Sequence, residues 1–336
     1  MYNFKSVIGN EHIVNALQGT IEQGRVNHAI CITGKAGTGR KLISRAFAKA
    51  LQCEAQQDTM QIAMMDTAQS TDSCGVCASC VSFEGGTHPD IFQIRPEKSS
   101  IGVDVVREQI VAEIAHRPHR YPYKVFIIEE SQTLTVQAQN ALLKTLEEPS
   151  GYGVFILAAE KTESLLPTIR SRCMTYSTRA VGVRDISEYL VREGIAGAEE
   201  STRLAQLSHG SIGRAIQLAT DEEFRELRDY ATQLAGNLGS KNLVECFAQT
   251  KELERYKHRI ADVLDILSVC YRDELVTLET DEAARALDGG MAIQTKYSAA
   301  ALIDKLAALD TARTRLRFNG NFQLVMDSLL LTLKNA

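Results

Sequence analysis

No run of 18 or more apolar residues occurs in this chain of 336, so no segment qualifies as a membrane-spanning helix. The opening residues, MYNFKSVIGNEH, lack the apolar stretch that a secretory signal needs. The chain also lacks the excess positive charge of an autonomous, nonspecific nucleic-acid binder, since its formal net charge is −5. Any contact with nucleic acid is therefore expected to be local or shared with other chains. No internal repeat is present. Apolar residues make up 44% and charged residues 24%, which leaves enough side chains for a sizeable core. The simplest expectation is a globular, cytoplasmic protein of two or three domains.

Cysteine is scattered except in one place. Cys31, Cys173, Cys246 and Cys270 stand alone, mostly in apolar surroundings, with Cys173 expected in the core. Cys74, Cys77 and Cys80 form a Cys-x2-Cys-x2-Cys cluster. In a reducing compartment such crowding points to metal rather than to disulfides. Cys53, at the end of a predicted helix, is a plausible fourth ligand. Four thiolates would make a closed, structural zinc site rather than a catalytic one. The stretch 56–88 around the cluster is rich in Gln, Asp, Ser, Thr and Gly and cannot build a core of its own, so a metal staple is a sensible substitute. A redox cluster and free thiols are the alternatives.

The first ~175 residues alternate short apolar runs with helical patterns, the signature of a mostly parallel sheet with helices packed on it. Strands are predicted at 29–33, 90–94, 125–128 and 154–158. A helix is predicted at 41–52, where Ile43, Ala46, Phe47, Ala50 and Leu51 recur at helical spacing. Beyond residue 181 the strand signals fade. Helices are predicted at 185–193, 201–207 and 211–219, then at 222–234, 243–270, 299–316 and 322–333. Breaks are expected at Gly239-Ser240 and Gly289-Gly290.

Gly34-Lys35-Ala36-Gly37-Thr38-Gly39-Arg40-Lys41 follows a predicted strand and opens a predicted helix. Glycines let backbone N–H groups turn around a phosphate, and a helix N-terminus favours the anion. A competent loop of this kind reads GxxxxGK[ST]. Here Arg40 stands at the lysine position and Lys41 at the Ser/Thr position. A planar guanidinium is not equivalent to a compact ammonium at a tight phosphate site. The hydroxyl normally ligates magnesium, and an ammonium has no lone pair to offer. The loop is thus expected not to support hydrolysis. A glycine-rich turn with no nucleotide role is the bland alternative.

Lys124 to Ile128 is an apolar strand ending in Glu129 and Glu130. In ATPases the first acid at such a position holds magnesium and the second polarises water. Glu129 replaces the usual Asp with a longer arm, and both acids could instead be solvated groups at a strand end. A helix follows, with Thr135 as N-cap, Ala138, Leu142 and Leu146 on one face, and Pro149 as its stop.

The segment NALLKTLEEP within that helix resembles the helix after the second acidic strand in bacterial clamp-loader subunits of the AAA+ family. The resemblance extends over nearly the whole chain. Phe4 to Gly9 and Gly24 to Ala29 resemble the family's base-bordering N-terminal region. Residues 154–159 resemble the sensor 1 strand, although Ala158-Ala159-Glu160 stands where relatives have a polar sensor. Ser171-Arg172-Cys173 matches the family's SRC motif. Gly210-Ser211-Ile212-Gly213-Arg214 resembles the start of the sensor 2 helix. Arg214 then either serves as the sensor or packs between domains. The intact SRC beside a defective loop is similar to the delta-prime branch in particular.

The resemblance implies an α/β AAA+ P-loop domain at 1–177 with a zinc module inserted at about 53–88, held by Cys53, Cys74, Cys77 and Cys80. An all-α lid would follow at 178–220 and an all-α collar at 221–336, whose last helix helps assemble a ring. It implies a degenerate nucleotide site at Gly34, Gly37, Gly39, Arg40, Lys41, Glu129, Glu130 and Arg214. It implies that Arg172 acts in trans as an arginine finger on a neighbour's ATP. The implied partners are delta and gamma/tau subunits and, through the complex, the beta sliding clamp and primed DNA, with no membrane. The chain would be a non-hydrolysing subunit of the DNA polymerase III holoenzyme. The alternative is an active gamma/tau-like ATPase with an atypical loop. A zinc-dependent nucleic-acid-binding module is a third reading, against which the NALLKTLEEP and SRC motifs count. The basic run from His116 to Arg120 is either a solvated loop or a phosphate contact. Asn319 and Asn321 would cap or pin the entry of the last helix.

Overall fold

A computed structural model of the chain describes residues 2–56, 71–96, 100–279 and 297–335. They form two compact units, one of residues 1–182 with 211–213, the other of 183–210 with 214–336. The predicted break at Gly289-Gly290 lies outside the described residues.

The first unit is built on a parallel sheet of five strands: β1 (Ala29–Thr33), β2 (Ile91–Ile94), β3 (Lys124–Ile128), β4 (Gly153–Ala159) and β5 (Met174–Ser177). Their order across the sheet is β2-β3-β4-β1-β5. In register, Ala29 faces Phe155 across the β1–β4 pair, and Ile30 faces Met174 across β1–β5. The sheet separates two cores. Ile30 and Ile32 join Ile13, Leu17, Ile43 and Phe47, carried by α1 (Glu11–Glu22) and α2 (Arg40–Leu51). Ala29 and Cys31 point into the opposite core. This alternation explains why every residue of β1 is apolar or small, as a strand covered on both faces requires. Between these helices and β2 lies the short α3 (Ala78–Glu84).

The opposite core is closed by two helical stretches. One is α4 (Val103–Val106), which continues through a π-turn (Arg107–Val111) into Ala112–Ile114. The other is α5 (Val136–Glu147), which buries Ala138, Leu142 and Leu146, the face expected from their spacing. The Thr135 hydroxyl accepts the Ala138 N–H at 3.2 Å and caps α5. A one-turn helix, α6 (Pro167–Arg170), leads into β5.

β5 is absent from the sequence reading. It is an edge strand, Met-Thr-Tyr-Ser, paired on one side to β1 and mostly exposed, so it carries no apolar run. Only its neighbour makes it a strand.

The second unit is all-helical among the described residues: α7 (Val183–Arg192), α8 (Ala198–Leu207), α9 (Ile212–Thr220), α10 (Glu222–Asn237), α11 (Leu243–Arg255), α12 (Ile260–Glu279), α13 (Ala299–Arg317) and α14 (Phe322–Asn335). Residues 212 and 213 of α9 belong to the first unit and the rest of it to the second. The single helix predicted at 243–270 is in fact two. It breaks at Tyr256, followed by a 3-10 turn over Lys257–Arg259. Neither Gly nor Pro marks the break. Tertiary contacts hold it: Tyr256 packs on Tyr230 at 5.6 Å between ring centroids, and Arg259 pairs with Asp221 at 2.6 Å and Asp262 at 3.0 Å. The break at Gly239 falls as expected, in a 3-10 turn (Leu238–Ser240) between α10 and α11. The Asn321 side chain accepts the Leu324 N–H at 3.1 Å at the entry of α14, and Asn319 takes a left-handed backbone (φ 58°) just before it.

Candidate functional site

The glycine loop lies between the C-terminal end of β1 and the start of α2. Gly37 and Gly39 adopt left-handed backbone angles (φ 76° and 96°), which side-chain-bearing residues rarely reach. Gly34 is required for another reason. A Cβ there would lie 1.7 Å from the Thr178 hydroxyl, which bonds the Thr38 hydroxyl at 2.7 Å and so clamps the loop from the end of β5. Inside the first unit, the Gly213 N–H donates to the Gly37 carbonyl at 3.2 Å.

Both departures from the competent loop have defined partners. Arg40 is 4% exposed, and its Nη1 donates to the Gly34 carbonyl at 2.9 Å, tying the end of the loop to its beginning. Its Nη2 lies 3.6 Å from Glu160. Burial lowers the Arg40 pKa, against the opposing pull of Glu160 and Glu130. Lys41 places its ammonium 2.6 Å from Glu130 and 3.7 Å from Glu129. The hydrogen bond from Lys41 holds the Glu130 carboxyl below its usual pKa. Glu130 itself adopts a left-handed backbone (φ 53°), a strained conformation of the kind that gathers at functional sites.

Glu129 is 2% exposed. It also receives Arg45, whose Nε donates at 3.0 Å, and Arg95, with Nε at 3.3 Å. The buried acid is therefore met by three cationic side chains, as a carboxylate in a low-dielectric site must be. Sequence reasoning missed Arg45 and Arg95, and noted Glu160 only as part of the sensor 1 stretch. Arg45 was in principle legible, because it lies one turn after Lys41 on the same face of α2. Ala158 and Ala159 are fully buried at the end of β4 and offer no polar atom beyond the backbone. Through that backbone the Ala159 carbonyl accepts the Gly34 N–H at 3.2 Å.

Arg172 sits at the far end of the short segment carrying α6. Its Nη2 lies 2.8 Å from Glu147, and its Nη1 donates to the Thr168 carbonyl at 2.8 Å and to the Ser171 hydroxyl at 3.3 Å. The side chain remains 34% exposed. Cys173 is half-buried beside it, and burial pushes its thiol up to about 12. Arg214 lies in the second unit, where it pairs with Asp262 at 2.8 Å and Asp265 at 3.0 Å on α12.

Cys53, Cys74, Cys77 and Cys80 come together with all four sulfurs within 4.8 Å of one another. A tetrahedral zinc with Zn–S near 2.3 Å sets sulfurs ~3.8 Å apart, so the donor set suits that ion. The N–H groups of Cys74, Cys77 and Cys80 point at the sulfurs of Cys53, Cys74 and Cys77 at 3.3, 3.4 and 3.5 Å. The hydrogen bond between Cys80 and Cys53 lowers the Cys53 thiol and raises that of Cys80, so the two sulfurs hold one proton between them in the absence of an ion. His88 is nearby in sequence but occupied. Its Nδ1 accepts the Asp90 N–H at 3.1 Å and its Nε2 meets Ser79 at 3.1 Å, while burial lowers its pKa to about 4.

The run from His116 to Arg120 is an ordered turn. The buried Asp90 carboxylate accepts the N–H groups of His119, Arg120 and Tyr121, and Arg120 pairs with Glu54 at 3.0 Å.

A strand, a glycine loop and a helix on a five-stranded parallel sheet define the first unit as an α/β domain of the P-loop type. The chain belongs to the family described as DNA polymerase III, delta subunit, whose model matches residues 9–181. It is 29% identical over 339 residues to the tau subunit of DNA polymerase III from Bacillus subtilis, covering 90% of this chain and 57% of that one. It is 34% identical over 224 residues to the tau subunit from Escherichia coli, covering 65% of this chain and 32% of that one. The chain thus spans between a third and just over half of the length of these relatives. A crystal structure of a DNA polymerase III gamma subunit-related protein from Thermotoga maritima is 21% identical, with 96% of this chain and 98% of that chain covered and a TM-score of 0.45.

Proposed function

We propose that this chain is a cytoplasmic clamp-loader subunit of the delta-prime type in a bacterial DNA polymerase III. In this reading its own AAA+ nucleotide site is silent, and Arg172 serves a neighbouring subunit's ATP. The observation that carries the reading is the ammonium of Lys41, 2.6 Å from Glu130 and 3.7 Å from Glu129. Magnesium would need those carboxylates, and a protein cation already neutralises them. Arg40, bonded back to Gly34, ties the end of the loop to its beginning, so its guanidinium is engaged where a competent loop offers a free lysine. Arg214, engaged with Asp262 and Asp265, is then a structural residue of the second unit.

Arg172 is held near the surface on a short, well-anchored segment, as a residue acting on another chain's phosphates should be. An arginine finger stabilises charge on the transferred phosphoryl group and is worth about 10³–10⁵ in rate. The four cysteines hold a structural zinc that staples the module at 53–88. Helices α7–α9 form a lid (178–220) and the later helices a collar (221–336). The partners are delta and gamma/tau subunits and, through the complex, the beta clamp and primed DNA.

The second reading, an active gamma/tau-like ATPase with an atypical loop, draws on the match to subunits named tau. ATP turnover separates the two. The isolated chain is expected to be inert. Arg172→Ala is expected to lower the turnover of a loader reconstituted with clamp and primed DNA by at least about tenfold while assembly is intact. Turnover by the isolated chain would favour the second reading.

A further inference from the structure

The segment that carries Arg172 is attached at both ends to one helix. At its start, the Gln139 side chain accepts the Leu166 N–H at 2.8 Å and donates to the Leu134 carbonyl at 3.2 Å. Gln139 is 3% exposed, so this bracket is buried at its helix end. At its end, the Arg172 guanidinium meets Glu147 at 2.8 Å. Gln139 lies in the first turns of α5 and Glu147 is its last residue, so the helix spans the whole segment. α5 is itself rigid: Thr135 caps it and its apolar face is buried against the sheet.

From this geometry we infer that Glu147 is a positioning residue for Arg172, fixing the guanidinium's rotamer from the end of α5 so that its remaining edge is presented to a neighbouring chain's phosphate. The inference rests on the reading of Arg172 as a finger. Two observations and two general properties of arginine carry it. An arginine side chain has four rotatable bonds, and immobilising it at the moment of reaction is costly, whereas a guanidinium already held is pre-organised. The Thr168 carbonyl, within the four-residue helix α6, fixes Nη1, and Glu147 fixes Nη2, so the plane of the fork is determined by two contacts. Donor capacity remains, because a guanidinium has five N–H groups. Glu147 is 48% exposed, so its carboxylate is not needed to fill the core, and among the described residues Arg172 is its ion-pair partner.

The test uses the reconstituted loader with clamp and primed DNA. The variants are Glu147→Ala, Glu147→Gln, Arg172→Ala and the double variant Glu147→Ala/Arg172→Ala. Assembly is checked by size-exclusion chromatography and folding by thermal melting. Glu147→Ala is expected to lower kcat about five- to tenfold with the KM for ATP unchanged, the effect of misplacing a catalytic group. Glu147→Gln, which keeps an acceptor oxygen in place, is expected to retain at least about half of the rate. In the Arg172→Ala background the Glu147→Ala change should have no further effect, because residues acting through one another are not additive.

If Arg172→Ala lowers turnover but Glu147→Ala does not, the inference fails and the finger stands. Faster turnover in Glu147→Ala would mean that the carboxylate restrains the finger, and the inference is overturned. Loss of assembly or a raised KM in Glu147→Ala would assign it a purely structural role, which also overturns it. If Arg172→Ala leaves turnover unchanged, the finger reading itself is wrong and the inference falls with it.

Discussion

At the scale of single residues, the glycine loop differs from the GxxxxGK[ST] pattern by two side chains, and both have found partners inside the protein. Arg40 returns to Gly34, and Lys41 reaches Glu130. The loop backbone keeps left-handed glycine angles at Gly37 and Gly39, so on the proposed reading of a silent site the difference lies in charge and not in shape. That distinction is testable. Arg40→Lys combined with Lys41→Thr restores a compact ammonium and a magnesium-binding hydroxyl on an unchanged backbone. The double variant is expected to bind ATP in magnesium at least about tenfold tighter than the parent, a gain of ~1.4 kcal/mol, in a titration with a fluorescent nucleotide. Equal binding by parent and variant would mean that these two cations are not what closes the site.

At the scale of elements, the cysteine module shows how a polar stretch is held to an apolar domain. The Asp72 carboxylate, just before Cys74, accepts the N–H groups of Phe4 and Lys5 at 3.0 and 3.1 Å, and Phe4 is buried in the main core. On α3, Glu84 accepts the Tyr2 N–H at 2.8 Å and pairs with the buried Lys49 at 2.7 Å. The module therefore anchors the N-terminal turn. Metal removal is expected to loosen both together, because a structural metal contributes folding energy directly. Elemental analysis should find one zinc per chain in the parent and less in Cys74→Ser. Chelation should lower Tm by at least ~5 °C. A parent free of zinc, or a Tm indifferent to chelation, would argue for free thiols.

The elements also mark where sequence patterns stop working. Burial, caps and spacing were legible for α2, α5 and the inner strands, because each has an apolar face or a local cap. β5 and the break at Tyr256 were not legible. One is made by a single neighbouring strand and the other by ion pairs to Asp221 and Asp262. Neither leaves a trace in local periodicity.

At the scale of the molecule, the helical unit buries charge in two places, and each makes stability rise with pH, one in the acid range and one in the alkaline range. Asp265 receives His209 at 2.9 Å, Arg214 at 3.0 Å and Arg313 at 3.0 Å. Burial opposes its ionisation, but these partners outweigh burial and lower its pKa. The stability it contributes is thus present above the ordinary aspartate range and lost as pH falls through its depressed value. Lys305 acts in the alkaline window. It is fully buried, with its ammonium 4.0 Å from the centre of the Tyr297 ring and bonded to the Leu333 carbonyl near the end of α14. Burial lowers its pKa from 10.5 to about 8, against the pull of Glu274. Between those values the unfolded chain binds the proton and the folded chain does not, so this group makes stability rise with pH. Urea unfolding should show an increase of order 1–3 kcal/mol from this window, and Lys305→Met should abolish it. A parent whose stability is flat or falling there, with no difference from Lys305→Met, would contradict the assignment.

What the sequence determined by itself is everything that depends on neighbours along the chain. The glycine loop between a strand and a helix, its Arg40 and Lys41 departures, the Thr135 cap and the three spaced cysteines are all of this kind. Tertiary structure decided the pairings that cross long stretches of chain. Lys41 meets Glu130 across 89 residues and Tyr123 meets Gln52 across 71. The hold of Glu147 on Arg172 and the edge position of β5 belong to the same class, whereas Cys53, which the sequence already offers as a fourth ligand, is brought to the other three sulfurs as expected. Local spacing reveals a helix face or a loop because 3.6- and 2-residue periods repeat within a few residues. An ion pair between two elements has no period. It exists only once the sheet has ordered its strands and set one helix end against another.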